Sequence, residues 1–224
     1  MTTSHVFFEK CEGVAYVTRN RPEKRNAFSP EMIVRLVEIW AGIAEDPTVR
    51  AVLLTGAGTP AFSSSGDLGT TIPLMMRTRQ PQGEWEERFA ADRKQLYAAI
   101  LRNASFFKPV VAAINGHALS GGAEMILSTD LRVMSEDATI GLVNRVVPAG
   151  DVLATAENLA RRISLGAPVA LAKTKEAMVR SNGLSQEEAF AVETGCTRAN
   201  AKTEDAKEGP RAFMEKRPPV FTGR

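Results

Sequence analysis

Two short apolar runs with strand character, Val6-Phe7-Phe8-Glu9 and Val14-Ala15-Tyr16-Val17-Thr18, lie on either side of Glu12-Gly13. Two such runs separated by turn residues predict a β-hairpin. The spacing then becomes helical, with Met32, Leu36, Ile39, Trp40 and Ile43 on one face. Ser29 as N-cap and Pro30 at the first helical position open that helix, and Asp46-Pro47 closes it. The apolar run over 49–55 predicts a buried strand. Residues 69–83, with Pro73, Arg77, Arg79, Gln80 and Pro81, read as a mobile loop able to act as a lid. Trp85, Phe89, Leu96, Ile100 and Leu101 then predict one long amphipathic helix over 84–106. Strands follow at 109–114 and 131–134, on either side of a helix at 121–127. From 151 onward the chain reads as helices broken at Gly166-Ala167-Pro168 and Asn182-Gly183. The β-α-β order, with glycine turns after the strands, predicts an α/β core around a parallel sheet.

The composition narrows the class. In 224 residues, 44% are apolar and 24% charged, which suits one globular core with a helical appendage. A net charge of +2, with basic residues spread along the chain, argues against a nucleic-acid partner. Two cysteines, Cys11 and Cys196, make no disulfide framework and fit a reducing compartment. No apolar run reaches membrane-spanning length, so no membrane partner is expected. Neither end carries a secretory or peroxisomal signal, and the cytoplasm is the expected location. His5 and His117 lack metal-ligand spacing, so no metal site is expected. Ser63, Ser64 and Ser65 lack the G-x-S-x-G elbow of a serine hydrolase.

Candidate chemistry gathers in two segments that each follow a strand. One is Phe62-Ser63-Ser64-Ser65-Gly66-Asp67-Leu68; the other is Ile114-Asn115-Gly116-His117-Ala118-Leu119-Ser120-Gly121-Gly122-Ala123-Glu124. Small residues let backbone N–H groups approach a ligand closely. Two N–H groups converging on one carbonyl oxygen form an oxyanion hole. The same glycines also suit plain strand-to-helix turns. Glu124, three residues after Gly121, either moves a proton or complements the dipole of the helix it begins.

Together these segments resemble the paired signatures of the crotonase (enoyl-CoA hydratase/isomerase) superfamily. Arg21-Pro22-Glu23-Lys24-Arg25-Asn26-Ala27-Phe28-Ser29 is similar to that family's nucleotide-side loop, and residues 203–209 and 212–217 resemble its C-terminal helical signature. The resemblance implies a crotonase-like α/β spiral of β-β-α units with a helical C-terminal region. It divides the chain into an acyl-CoA-binding core over 1–148 and helices over 149–224. An acyl-CoA thioester is the implied substrate, with coenzyme A entering as part of it and no separate cofactor. Gly66 and Gly121 are the implied oxyanion donors. Glu124 matches the first of two hydratase glutamates, and a largely dry pocket would raise its pKa. Lys24, Arg25, Ala27, Ser64, Ser65, Asp67 and Leu68 are the implied substrate and CoA contacts, with Asp67 capping backbone groups rather than reacting. His117 reads as a packed or hydrogen-bonded residue. The family forms trimers, often stacked into hexamers through C-terminal helices, so a homo-oligomer is implied.

Two kinds of departure stand out. Ser65 and Ser120 occupy positions where the family has glycine, and serine reaches left-handed geometry only with strain; both could narrow the acyl-CoA channel. More seriously, the family's second glutamate is missing. Two elements that the family separates by several tens of residues are fused here through Gly141-Leu142. Asn144 falls roughly where the second glutamate would be, and an amide cannot act as a general base. A single carboxylate suits double-bond isomerisation or slow hydration. The alternative is a catalytically impaired acyl-CoA-binding or assembly protein.

Overall fold

The hairpin forms where the two apolar runs place it: β1 (Val6–Cys11) pairs antiparallel with β2 (Val14–Arg19). The computed structural model describes residues 4–102, 105–139 and 144–224, so the Gly141-Leu142 junction lies outside the described residues. Beyond the hairpin, β3 (Ala51–Gly56), β5 (Val110–Ile114), β7 (Leu131–Ser135) and β8 (Arg145–Val147) add in parallel. The six strands run β1-β2-β3-β5-β7-β8, and a second, two-stranded parallel sheet joins β4 (Ala61–Ser63) to β6 (His117–Ala118).

The central strands are apolar on both faces because both are covered. Ala15, Val17, Val52, Leu54, Val110 and Ala112 pack on one side with Met32, Leu36, Trp40 and Ile43 of α1 (Pro30–Glu45). Ser29 caps α1 as expected, its hydroxyl accepting from the Met32 N–H at 3.1 Å. On the other side Val14, Leu53, Val111 and Val133 meet Val152, Ala156 and Ala160 of α6 (Val152–Ser164). The three small and β-branched residues, four apart, give α6 a flat stripe that approaches the sheet closely.

Two expectations fail locally. Residues 69–83 contain a short helix, α2 (Thr71–Met75), and the long helix expected over 84–106 is broken into α3 (Glu84–Ala91) and α4 (Gln95–Ala99). Asp92 leaves helical geometry at φ −140°, ψ 95°, and its carboxylate accepts from the Lys94 N–H at 3.0 Å. An aspartate that bonds its own neighbouring backbone competes with the helix ladder. Arg93 Nε fixes the break by donating to the Leu74 carbonyl at 2.8 Å. The apolar face still docks: Phe89 and Ile100 are buried, and Trp40 Nε1 donates to the Ala99 carbonyl at 2.8 Å.

After α6 come α7 (Pro168–Ser181) and α8 (Gln186–Ala201), set off at the two expected breaks, and then α9 (Glu204–Met214), which a further break at Lys202-Thr203 separates from α8. Buried Lys175 pins α7 to the core, pairing with Asp130 at 2.8 Å and donating to the Lys108 carbonyl at 2.9 Å. Phe190 on α8 and Phe213 on α9 are exposed.

Candidate active site

Pairing of β4 with β6 brings the two glycine-bearing segments together, with Ala61 opposite His117 and Ser63 opposite Ala118. The Leu119 N–H donates to the Ser63 carbonyl at 3.0 Å, extending the contact toward the loops. Behind it, α5 (Gly121–Leu127) sits on β4 so closely that a Cβ on Gly122 would lie 2.5 Å from the Ser63 carbonyl oxygen. Only glycine permits that approach.

Gly66 is held by a parallel bridge to Phe28, in which Phe28 N–H donates to Ser65 O at 2.8 Å and Asp67 N–H to Phe28 O at 2.9 Å. In such a bridge the opposing residue's own N–H points away from the ladder. Among the described residues, neither the Gly66 N–H nor the Gly121 N–H has a hydrogen-bond partner. The two loops touch: a Cβ on Gly121 would lie 3.6 Å from the Phe28 ring and 3.8 Å from Ser65 Oγ.

Both serine departures carry backbone strain. Ser65 has φ 96° and Ser120, the N-cap of α5, has φ 47° and ψ −118°. Side-chain-bearing residues in such regions cost about 1–3 kcal/mol each. Ser120 makes no side-chain cap bond that would offset this.

The nucleotide-side loop is tied to the first glycine loop by Arg21, whose Nη1 meets Asp67 Oδ2 at 2.9 Å, both side chains largely buried. Asp67 Oδ1 accepts from the N–H groups of Gly69 and Thr70 at 2.8 and 3.0 Å. Asp67 therefore acts as a structural cap. Burial opposes its ionisation, but the Arg21 and backbone hydrogen bonds prevail and hold its carboxyl below the ordinary aspartate value. Lys24 and Arg25 are exposed at the end of a 3-10 turn, and Ala27 is buried, its carbonyl accepting from Arg21 Nη1 at 3.0 Å. The Ser64 N–H donates to the Arg25 carbonyl at 3.0 Å, leaving Ser64 half-buried, while Leu68 is 82% exposed.

Glu124 departs from expectation. It lies in the first turn of α5, but its side chain is 46% exposed and pairs with Arg102 at 3.2 Å rather than entering a dry pocket. The physical reason is local: the end of the broken helix brings Arg102 over Tyr97 and onto the carboxylate. Arg102 has no signal in the sequence, because its partner is 22 residues away and only tertiary packing joins them. His117 is exposed rather than packed. Asn144 continues the strand pairing: its N–H donates to the Arg132 carbonyl at 3.0 Å, and its Oδ1 accepts from the Arg132 N–H at 2.7 Å. The Arg132 guanidinium in turn caps α5, donating to the Ile126, Leu127 and Thr129 carbonyls.

A cavity of about 550 Å³ between α6 and the outer face of β1, β2 and β3 includes Tyr16, Leu53 and Leu153 and none of the expected site residues. Beneath the glycine loops, by contrast, lies Arg19, fully buried. The alternation of β2 carried a signal for it, since Ala15, Val17 and Arg19 share one face.

The chain resembles known proteins along nearly its whole length. A family model described as enoyl-CoA hydratase/isomerase matches residues 9–142 and 135–224. Its two matches overlap over 135–142, where the fused elements share Gly141-Leu142. The (E)-benzylidenesuccinyl-CoA hydratase of Thauera aromatica is 31% identical over 264 residues, covering 97% of this chain and 99% of its own. An alignment that long over 224 residues leaves several tens of the relative's residues with no counterpart here. The enoyl-CoA hydratase EchA19 of Mycobacterium tuberculosis is 30% identical, with 93% and 92% of the two chains covered. The crystal structure of an enoyl-CoA hydratase from Bacillus anthracis superimposes with a TM-score of 0.85 at 25% identity, covering 98% of this chain and 100% of its own. The chain belongs to the enoyl-CoA hydratase/isomerase family and has the crotonase fold.

Proposed function

We propose that this chain acts on an enoyl-CoA thioester, with the Gly66 and Gly121 N–H groups holding the thioester carbonyl oxygen. The observation that carries this reading is the pair of unpartnered amides on loops brought together by β4 and β6. Donors placed where negative charge develops stabilise an enolate-like state more than the ground state. Glu124 is the proton carrier, since its carboxylate begins the same helix as Gly121. One carboxylate can take a proton from one carbon and return it to another, so double-bond isomerisation or slow hydration fits better than full hydratase chemistry. Lys24 and Arg25, exposed beside the first glycine loop, suit the phosphates of coenzyme A. Exposed Phe190 and Phe213 on the C-terminal helices favour assembly into a homo-oligomer.

The second reading, an acyl-CoA-binding protein without turnover, is favoured by the exposed Glu124–Arg102 pair and by the fused junction. Crotonyl-CoA and a 3-enoyl-CoA, assayed by thioester absorbance on a size-fractionated sample, separate the two. Turnover with Glu124→Gln slower by about a hundredfold at unchanged KM supports the enzyme. Tight binding of a saturated acyl-CoA without turnover of either substrate supports the binding protein.

A further inference from the structure

We infer that Arg19 is a positioning residue that holds a buried positive charge behind the carbonyl cradle, stabilising the enolate through Phe62, Phe28 and α5. This rests on the cradle reading proposed above. Arg19 is 0% exposed, and among the described residues its polar contacts include no carboxylate. Its guanidinium lies 3.6 Å from the centre of the Phe62 ring and 6.0 Å from that of Phe28. Nε reaches the Thr55 carbonyl only at 3.4 Å, Nη1 meets Met125 Sδ at 3.7 Å, and Nη2 has no partner.

These neighbours lead to the cradle. Phe62 is the middle residue of β4, the strand that leads into the Ser64-to-Gly66 loop. Phe28 bridges Gly66 and lies beneath Gly121. Met125 belongs to α5, the helix that Gly121 begins and Glu124 follows into. Burial lowers the Arg19 pKa to about 9, which leaves the guanidinium charged at neutral pH.

Stacking on Phe62 offsets only part of what this choice costs a core position. An unpaired buried cation is destabilising, and an apolar side chain of similar volume packs the same space without the desolvation penalty. What the cation adds is a field. Buried charges are poorly screened by salt, so the field reaches an oxyanion held by the Gly66 and Gly121 amides at any ordinary ionic strength. It favours the state in which charge sits on that oxygen, and so acts on kcat rather than on ground-state binding.

The test uses the full chain with 2,4-hexadienoyl-CoA, a conjugated thioester whose ultraviolet absorbance moves to longer wavelength when its carbonyl is polarised. The wild type is expected to shift the bound probe. Arg19→Met should lose most of that shift while binding the probe equally well, and Arg19→Lys should keep much of it. With a turned-over enoyl-CoA, Arg19→Met should lower kcat by about tenfold at unchanged KM. Its melting temperature should rise. An Arg19→Met protein that melts lower than the wild type or fails to fold overturns the assignment, because Arg19 would then be a structural residue. A wild-type shift that Arg19→Met retains in full also overturns it and leaves the cradle intact. No shift in the wild type overturns the cradle reading and this one with it.

Discussion

Ser120→Gly removes a side chain from a backbone position at φ 47°, ψ −118°, where a Cβ crowds the following peptide. The hydroxyl makes no cap bond to α5, and the intrahelical bond from the Glu124 N–H to the Ser120 carbonyl, 2.9 Å, does not depend on the side chain. Strain relief is worth about 1–3 kcal/mol. Glycine's greater freedom in the unfolded chain takes back about 0.5–1 kcal/mol. The net expectation is a gain of about 1 kcal/mol, or about 2–4 °C in melting temperature for a chain of this size. Urea unfolding of the wild type, Ser120→Gly and Ser120→Ala measures it. Alanine keeps the Cβ and loses no hydrogen bond, so it should match the wild type within about 0.5 kcal/mol. A glycine variant no more stable than the alanine variant would refute the strain argument.

Two further outcomes follow from the loops. Asp67, with a folded pKa below its unfolded value, contributes stability that is complete above about pH 4 and is lost as pH falls through the lower folded value. Urea midpoints at pH 5 and pH 3 should therefore drop further for the wild type than for Asp67→Asn, and parallel drops would remove the Arg21 pair from the account. Gly122→Ala places a methyl group 2.5 Å from the Ser63 carbonyl oxygen and should cost about 1–3 kcal/mol of stability, because the contact is to backbone that must move. A Gly122→Ala protein as stable as the wild type would show that α5 is free to shift off β4.

Local physics made much of the fold legible. The β1–β2 hairpin follows from two strand-forming apolar runs and a two-residue turn, and α1 from its Ser29 cap and one apolar stripe. The break at Asp92 was hidden because the apolar spacing of Phe89, Leu96 and Ile100 continues through it. Only the competing Asp92–Lys94 backbone bond ends the helix. At the site, the glycine pattern singled out the two loops that β4 and β6 bring together, and Asp67 caps backbone groups as expected. The surroundings of Glu124 were not legible, since exposure and the Arg102 contact are set by how the end of α4 meets α5. Ser65 and Ser120 stood out as departures, but sequence does not display a dihedral angle. Their positive φ values turn a difference in residue type into a cost in energy.

Arg132 gives the fused region a mechanical meaning. Its backbone grips Asn144, the first described residue after the junction, while its guanidinium grips the end of the helix that bears Glu124. The junction and the α5 terminus thus share one anchor. Any change that displaces Asn144 would therefore pull on the anchor that also holds the end of α5.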